Sequence, residues 1–191
     1  MPFPPNSQVD VRQVSIADWQ LLAALSYDGK TEHFVAPVGL KTDFASVPRF
    51  FVWFLPRYGR YTKAAILHDY LCAGGQVSRV DADAIFRRAM RELGVSFLRR
   101  WIMWGAVRWG ALAAPGGMKG WLKESPRVLL VSALALPIVL PPAAVIFVAI
   151  LAFYLLELAS YLLLQLSTVG RAVVKKPSGK EVNMPTASLT L

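Results

Sequence analysis

The pattern of hydrophobic and polar residues divides the chain into a mixed front part and a strongly apolar back part. Up to about residue 112, short apolar runs alternate with turn residues and polar helix faces. Between residues 128 and 169 the one charged residue is Glu157, and neither half of this block has the polar face of a surface helix. The pattern indicates a folded domain followed by a segment suited to lipid.

The front part begins with the signature of a β-hairpin. Asp28-Gly29 separates an apolar run that ends at Tyr27 from a second run at residues 32–36. Asp-Gly between two apolar runs favours a tight turn between paired strands. A loop is expected over residues 37–49, because Pro48 restricts the residue before it and has no N–H donor.

Helical spacing follows this loop. A first helix is predicted over residues 61–72, with Gly74-Gly75 ending it. A second helix begins after Ser78, an expected N-cap with Asp81 as the acid of a capping box, and stops at Gly94. Together with a third helix at residues 97–112, these elements predict an α+β fold: a small N-terminal β-hairpin region, a three-helix core and a C-terminal membrane-inserting helical segment.

The third predicted helix, for which Ser96 is the expected cap, combines basic residues with tryptophans. Such a helix next to an apolar block is typical of a membrane-surface element. A soluble basic face with tryptophans in the core, and a nucleic-acid surface, remain as alternatives; nucleic acid is disfavoured because no recognition motif accompanies the charges. Five side chains are predicted to face the membrane surface: Arg99, Arg100, Trp101, Trp104 and Arg108.

The apolar block leaves two membrane topologies open. As a helix, residues 128–140 would be about 20 Å long, shorter than the roughly 30 Å hydrocarbon core, and Pro141-Pro142 then interrupts the pattern. Basic residues flank the block on both sides, and such residues favour the cytoplasmic side. A hairpin or re-entrant insertion that turns at the prolines is therefore preferred over a single span near residues 138–156. A buried helix in an oligomer is the alternative without a membrane.

Composition agrees with a membrane-associated chain. The 191 residues are 55% hydrophobic and 17% charged, with a net charge of +9, which excludes a disordered chain. The single cysteine, Cys72, excludes an intrachain disulfide and a multi-thiolate zinc site, so a zinc peptidase lacks ligands. No N-terminal signal peptide is recognisable. The expected organisation is an arm (1–8), an α+β domain (9–112), a basic linker (113–127), the apolar membrane segment (128–169) and a mobile basic tail (170–191).

The residues best suited to catalysis are His68 and Asp83, one on each of the first two predicted helices. A carboxylate bound to one imidazole nitrogen fixes the tautomer and leaves the other nitrogen as a general base. Asp69 would project to another side and could hold calcium through oxygen. No serine or cysteine nucleophile is paired with His68, which favours activation of water. The alternative is a buried hydrogen-bond network that sets the packing of the two helices.

Three separated motifs occur in order in the domain. They are TDFASVPR at residues 42–49, YTKAAILHD at residues 61–69, and a third at residues 78–94 with Ser78-Arg79, Ala82-Asp83, Phe86, Met90 and Leu93-Gly94. This set, over about residues 35–110, resembles the phage and prophage domain-of-unknown-function family 1353. The resemblance implies a tailed-phage or prophage origin and transfers no activity.

A weaker resemblance is to the phospholipase A2 superfamily, whose helix pair carries a His-Asp dipeptide on one helix and a second Asp on the other. It implies that His68 activates water, that Asp69 holds calcium and that Asp83 orients His68. Cys72 stands where that superfamily usually has tyrosine, and residues 43–60 do not reproduce its Gly-rich calcium loop.

These observations predict a phage or prophage virion-associated protein that engages the host membrane in genome delivery or assembly, as a non-enzymatic structural component. Its expected location is the virion or the host inner membrane. Its expected partners are the lipid membrane and other phage structural proteins. The alternative function is that of a calcium-dependent, phospholipase A2-like lipid hydrolase built on His68, Asp69 and Asp83.

Overall fold

The computed structural model describes residues 3–166 except 6, 30, 46, 114–117, 119 and 120. The expected tail at 170–191, most of the linker up to residue 120 and part of the N-terminal arm therefore lie outside the described residues. The chain divides into two compact units, Met1–Val139 and Leu140–Leu191.

The predicted hairpin is confirmed as a two-stranded antiparallel sheet. Its strands, here β3 (Leu25–Asp28) and β4 (His33–Ala36), pair from Leu25 with Ala36 to Asp28 with His33. The Gly29 N–H donates to the Glu32 carbonyl at 2.7 Å and closes the turn. Alternate side chains of β3, Leu25 and Tyr27, are buried, as expected for a sheet with one face on the core.

A second, three-stranded sheet was not predicted from the sequence. Antiparallel pairing in the order β1-β2-β5 joins three short strands: β1 (Val11–Gln13), β2 (Trp19–Leu21) and β5 (Lys41–Thr42). These strands are too short to show the alternation that identifies a strand. The pairing of Trp19 with Thr42 places the end of β5 beside the helices that follow.

The helices of the domain agree with the predicted boundaries. They are α1 (Thr62–Gly74), α2 (Arg79–Glu92) and α3 (Phe97–Ala111), and a short 3₁₀ turn at Arg49–Phe51 precedes them. α1 ends at Gly75, which has a φ of 60°. Ser78 caps α2 by accepting a hydrogen bond from the Asp81 N–H at 3.2 Å. Ser96 does occupy the N-cap position of α3, but its side chain makes no capping hydrogen bond, contrary to expectation.

The core forms around α1, which packs on α2 and on strands β3 and β4, while α2 also packs on α3. Ala64 and Ala65 are small enough for neighbouring elements to approach α1 closely, and both are buried. Tyr27, Leu67 and Met90 are among the fully buried large side chains. This packing turns His68, one helical turn after Ala64, towards α2.

The apolar block forms one helix, α4 (Trp121–Leu166), which continues through Pro141-Pro142. The turn expected at these prolines is therefore not formed. Proline is tolerated within apolar helices of the membrane type because nearby groups can satisfy the freed backbone positions. The expected α+β class is confirmed, with a small sheet region, three helices and a long apolar C-terminal helix.

Candidate functional site

His68 and Asp83 meet across the interface of α1 and α2, as the sequence predicted. His68 Nε2 lies 2.7 Å from Asp83 Oδ1, and both residues are buried. The imidazole also packs against Phe86, with ring centroids 4.9 Å apart. Because Nε2 is held by the carboxylate, Nδ1 is the imidazole nitrogen left for a general base.

Arg108 completes this cluster from α3. Its Nη1 donates to Asp83 Oδ2 at 2.8 Å, so each oxygen of the carboxylate faces a nitrogen. The Arg108 side chain is 1% exposed, and among the described residues its Nε and Nη2 atoms have no hydrogen-bond partner. The cluster is thus a buried ion-pair network that joins three helices.

This burial corrects part of the predicted membrane surface. Arg108 and Trp104 are buried in the domain, so neither side chain faces a membrane. Arg99 is exposed, and Arg100 and Trp101 are half-buried. The spacing Trp101, Trp104, Arg108 is i, i+3, i+7, the spacing of one helix face, and this was the signal in the sequence that Arg108 shares the inward face.

A cavity of about 340 Å³ opens beside the cluster. Its polar lining comes from His68, Asp69, Cys72 and Arg79, whereas most of the other walls are apolar. His68 is 8% exposed, so it reaches this cavity from within the core. An apolar cavity with a few converging polar groups is the usual form of a small-molecule site. The apolar walls include Phe44, Val47, Leu55, Phe86, Met103 and Val107.

Asp69 is fixed by a residue that the sequence reasoning did not single out. Thr42 Oγ1 donates to Asp69 Oδ2 at 2.5 Å and accepts the Phe44 N–H at 2.9 Å. Burial raises the pKa of Asp69 to about 7, although the hydrogen bond from Thr42 lowers it. Asp69 is therefore a carboxyl that changes charge near neutral pH.

Phe44 adopts a φ of 64°, in the left-handed region that bulky residues rarely enter. Its ring packs against Trp19 at 5.8 Å between centroids and lines the cavity. Such backbone strain is concentrated at functional sites, where the surrounding structure maintains it. The motif at residues 42–49 therefore contributes both the partner of Asp69 and a strained wall of the cavity.

The protonation of His68 is set by opposing effects. Burial lowers the pKa of His68, but the hydrogen bond to Asp83 and the neighbouring Cys72 thiol, 3.5 Å from Nε2, outweigh it and raise the pKa to about 9. The imidazole is thus mainly protonated at pH 7. It can act as a base only when pH rises towards this pKa.

The surroundings of His68, Cys72 and Asp83 do not favour a metal ion. One ligand atom from each of His68, Cys72 and Asp83 lies within 4.8 Å of the others. Asp83 already binds both His68 and Arg108, and the adjacent Arg108 guanidinium opposes a further cation. We therefore assign no metal to this cluster. The calcium predicted for Asp69 would have to share a carboxylate that Thr42 already occupies.

Comparison with known proteins adds one finding. The family described as "Protein of unknown function (DUF1353)" matches residues 19–107. The matched segment starts with β2 and includes His68, Asp69 and Asp83, and it ends before α4. No curated protein matches the chain, and no solved structure matches it.

Proposed function

Because residues 19–107 belong to the DUF1353 family, whose function is unknown, we propose a function from the chain's own residues: α4 inserts into a lipid bilayer and anchors the domain at the membrane. The resemblance of the motifs to this family is confirmed, but the family description supplies no activity.

The exposure of α4 carries this proposal. Its most apolar stretch of 18 residues has a mean hydropathy of 2.6, yet only 17% of that stretch is buried. A core helix of a soluble protein would be mostly buried. Large apolar side chains are instead exposed along its length, such as Val145 at 70% and Leu163 at 68%. Contiguous apolar surface of this extent marks a contact with lipid or with another protein.

The length and charge distribution of α4 suit one crossing. Residues 128–156 contain no Asp, Glu, Lys, Arg or His. At 1.5 Å per residue they cover about 43 Å, enough for a roughly 30 Å core with tilt. An uninterrupted helix supports a single span over the hairpin expected from the prolines.

Paired arginine substitutions test the anchor in the full chain. Val148→Arg with Leu151→Arg places two charges within α4. Each charge at the centre of a helix raises the free energy of membrane insertion by about 2.5–3.5 kcal/mol. We expect the native chain to stay with membranes after an alkaline carbonate wash, and this variant to be released. Val14→Arg with Val38→Arg, two exposed positions of the domain, is the control and should behave as the native chain. A native chain that is soluble and monomeric without detergent contradicts the proposal.

From the motifs' resemblance to a phage and prophage family alone, we propose that this membrane is the host inner membrane and that phage structural proteins are partners in the virion. Immunodetection of the chain in purified particles and in membranes of infected or induced cells tests this. Detection in neither fraction contradicts it.

Hydrolysis of a lipid ester is the second candidate, supported by the cavity that His68 and Asp69 share. In this reaction His68 Nδ1 accepts a proton from water while the water oxygen adds to the ester carbonyl. The proton then passes to the leaving alcohol, and a fatty acid and a lysolipid are released. Since the pKa of His68 is about 9, the rate should rise with pH up to that value.

A comparison of the two histidines tests the hydrolase. The full chain is incubated with phosphatidylcholine–phosphatidylglycerol vesicles between pH 7 and 9.5, with and without calcium, and fatty acid is measured. His68→Gln should lower the rate at least 100-fold. His33→Gln, at an exposed histidine paired with Asp28, should leave it unchanged. If the native chain releases no fatty acid at any of these pH values, the hydrolase candidate is wrong.

A further inference from the structure

A second cleft, of about 690 Å³, lies along α2 and shares no lining residue with the His68 cavity. Its walls come mainly from α2 and the start of α3. Four of the lining side chains are arginines, against the two carboxylates Glu32 and Asp81. The arginines are Arg87, Arg88, Arg91 and Arg100.

Both carboxylates of the cleft already have hydrogen-bond partners. Arg88 donates to Glu32 at 3.0 Å and to the Tyr27 hydroxyl at 3.1 Å, so Arg88 and Glu32 form a fixed, neutral part of the wall. Asp81 accepts a hydrogen bond from Ser78 at the N-terminus of α2. Within the described part of the chain, no ion pair joins a carboxylate to the three remaining arginines, Arg87, Arg91 and Arg100. We call the part of the cleft that these three residues line the arginine cleft.

Aromatic rings hold two of these guanidinium groups. Arg87 lies over the Trp101 ring, 4.1 Å from its centroid, and Arg100 lies 5.3 Å from the centroid of Phe97. A guanidinium stacked on a ring keeps its N–H edge available for hydrogen bonds. A planar fork of N–H donors fits two oxygen atoms of a phosphate group. The arginine cleft is therefore suited to a phosphate-bearing anion.

Helix α3 connects the arginine cleft to α4. Phe97, Arg100 and Trp101, in the first half of α3, line the cleft, and Trp109, near the end of α3, donates a hydrogen bond to Ser132 of α4 at 3.0 Å. Trp109 and Trp121 pack together at 5.4 Å between centroids, and tryptophans of this kind are enriched at the boundary of a bilayer. Exposed large apolar side chains follow along α4 at Leu122, Leu129 and Leu130.

We infer that the arginine cleft binds the phosphate group of an anionic phospholipid in the membrane that α4 enters. This inference rests on the proposed membrane function, because α4 brings the cleft to the headgroup region. A lipid is favoured over nucleic acid because three arginines in a bounded cleft offer no track along which several successive phosphates could lie.

Short-chain lipids test the inference with the full chain in neutral detergent micelles. The probes are dihexanoyl-phosphatidylglycerol and zwitterionic dihexanoyl-phosphatidylcholine, and calorimetry gives each Kd. We expect phosphatidylglycerol to bind about thirtyfold more tightly, with the difference falling as NaCl rises from 0.05 to 0.5 M. Equal affinity for the two lipids, or no effect of salt, overturns the inference.

Matched double variants locate the site. Arg91→Gln with Arg100→Gln should remove the preference for phosphatidylglycerol, because each lost arginine should raise the Kd for this lipid about fivefold. Arg12→Gln with Arg60→Gln removes the same charge at positions outside the cleft and should change either Kd by less than twofold. A melting curve checks folding, and the single variant Arg91→Gln, at an exposed position, replaces the double variant if that one unfolds. An unchanged preference in a folded cleft variant overturns the site.

Two further probes identify the source of the phosphate. If glycerol 3-phosphate binds as tightly as phosphatidylglycerol, the ligand is a free phosphate ester and the inference is wrong. If a 20-nucleotide DNA strand binds more tightly and loses affinity in the same variant, the cleft is a nucleic-acid site and the inference is also wrong. Failure of the membrane function would appear separately, as a native chain that is soluble without detergent.

Discussion

At the scale of single residues, Asp83 is the centre of the domain's polar network. It is fully buried and lies between a histidine of α1 and an arginine of α3. Removing one partner of a buried charge leaves the other without compensation, which costs more than the pair contributes when intact. The residues of the candidate active site are therefore also structural, and stability must be measured beside activity for each of them.

Arg108→Leu is expected to destabilise the domain by about 3–5 kcal/mol, because Asp83 loses its guanidinium partner without access to water. Arg99→Leu is the matched control: it removes the same charge from an exposed position of α3 and should change stability by less than about 0.5 kcal/mol. Urea unfolding of the full chain in neutral detergent measures both. Equal stability of the two variants would contradict the buried ion-pair network.

Asp69→Asn is expected to stabilise the protein above pH 7. The pKa of Asp69 in the folded state, about 7, exceeds its ordinary value of 3.8, so the folded state keeps a proton that the unfolded state has released. The stability from this group is complete below pH 3.8 and is lost as pH rises through 7. At pH 8 the substitution should raise the free energy of unfolding by about 1–3 kcal/mol. A rise in stability when a carboxyl is removed from a cavity is typical of functional sites.

Thermal melts at pH 5 and pH 8 measure this effect. The exposed carboxyl Asp10 supplies the control, and Asp10→Asn should not change the difference between the two pH values. A lower melting temperature for Asp69→Asn at pH 8 would show that the carboxylate stabilises the fold instead.

At the scale of elements, α2 organises both candidate sites. Asp83 and Phe86 face the His68 cluster, whereas Arg87 and Arg91 line the arginine cleft. Any change that shifts or frays α2 should therefore affect both sites together. Its N-terminus is the natural place to perturb it, because the cap there is a single side chain.

Ser78→Ala is expected to lower the free energy of unfolding by about 1 kcal/mol, since the Ser78 hydroxyl accepts a hydrogen bond from the Asp81 N–H at the start of α2. Ser96→Ala is a close control: Ser96 occupies the N-cap position of α3 without a side-chain hydrogen bond, so its loss should cost less than about 0.5 kcal/mol. Denaturant unfolding distinguishes them. Similar costs at the two positions would show that N-cap geometry alone, and not the hydroxyl, sets the effect.

At the scale of the whole molecule, one helix leaves the domain and continues through the prolines. Because residues 121–166 form one α-helix, we expect the two ends of α4 to emerge on opposite sides of a bilayer. This expectation differs from the preference for a hairpin, which rested on the basic residues that flank the block on both sides.

Cysteine labelling in oriented vesicles tests the topology. In a Cys72→Ser background, Leu122→Cys and Ser178→Cys place single thiols before and after the apolar run. An impermeant maleimide should label one position from outside and the other only after the vesicles are opened. Labelling of both from the same side would restore the hairpin.

Local chemistry explains what could be predicted from the sequence alone. The Asp28-Gly29 turn, the Ser78 cap, and the glycines after α1 and α2 act within a few residues, so their effects are visible without a partner. The His68–Asp83 contact was also within reach, since two short helices joined by a tight turn bring facing residues together. The apolar character of α4 needs only composition and length.

Tertiary structure decided the rest, because those features depend on which surfaces meet. Strand β2 pairs with β5 across some twenty residues, a choice that short strands do not encode locally. Charge suggested a surface position for Arg108, but Asp83 on another helix supplies the carboxylate that allows its burial. The arginine cleft exists only once α2 and α3 pack, since helical periodicity alone cannot show which charges remain without a partner after folding.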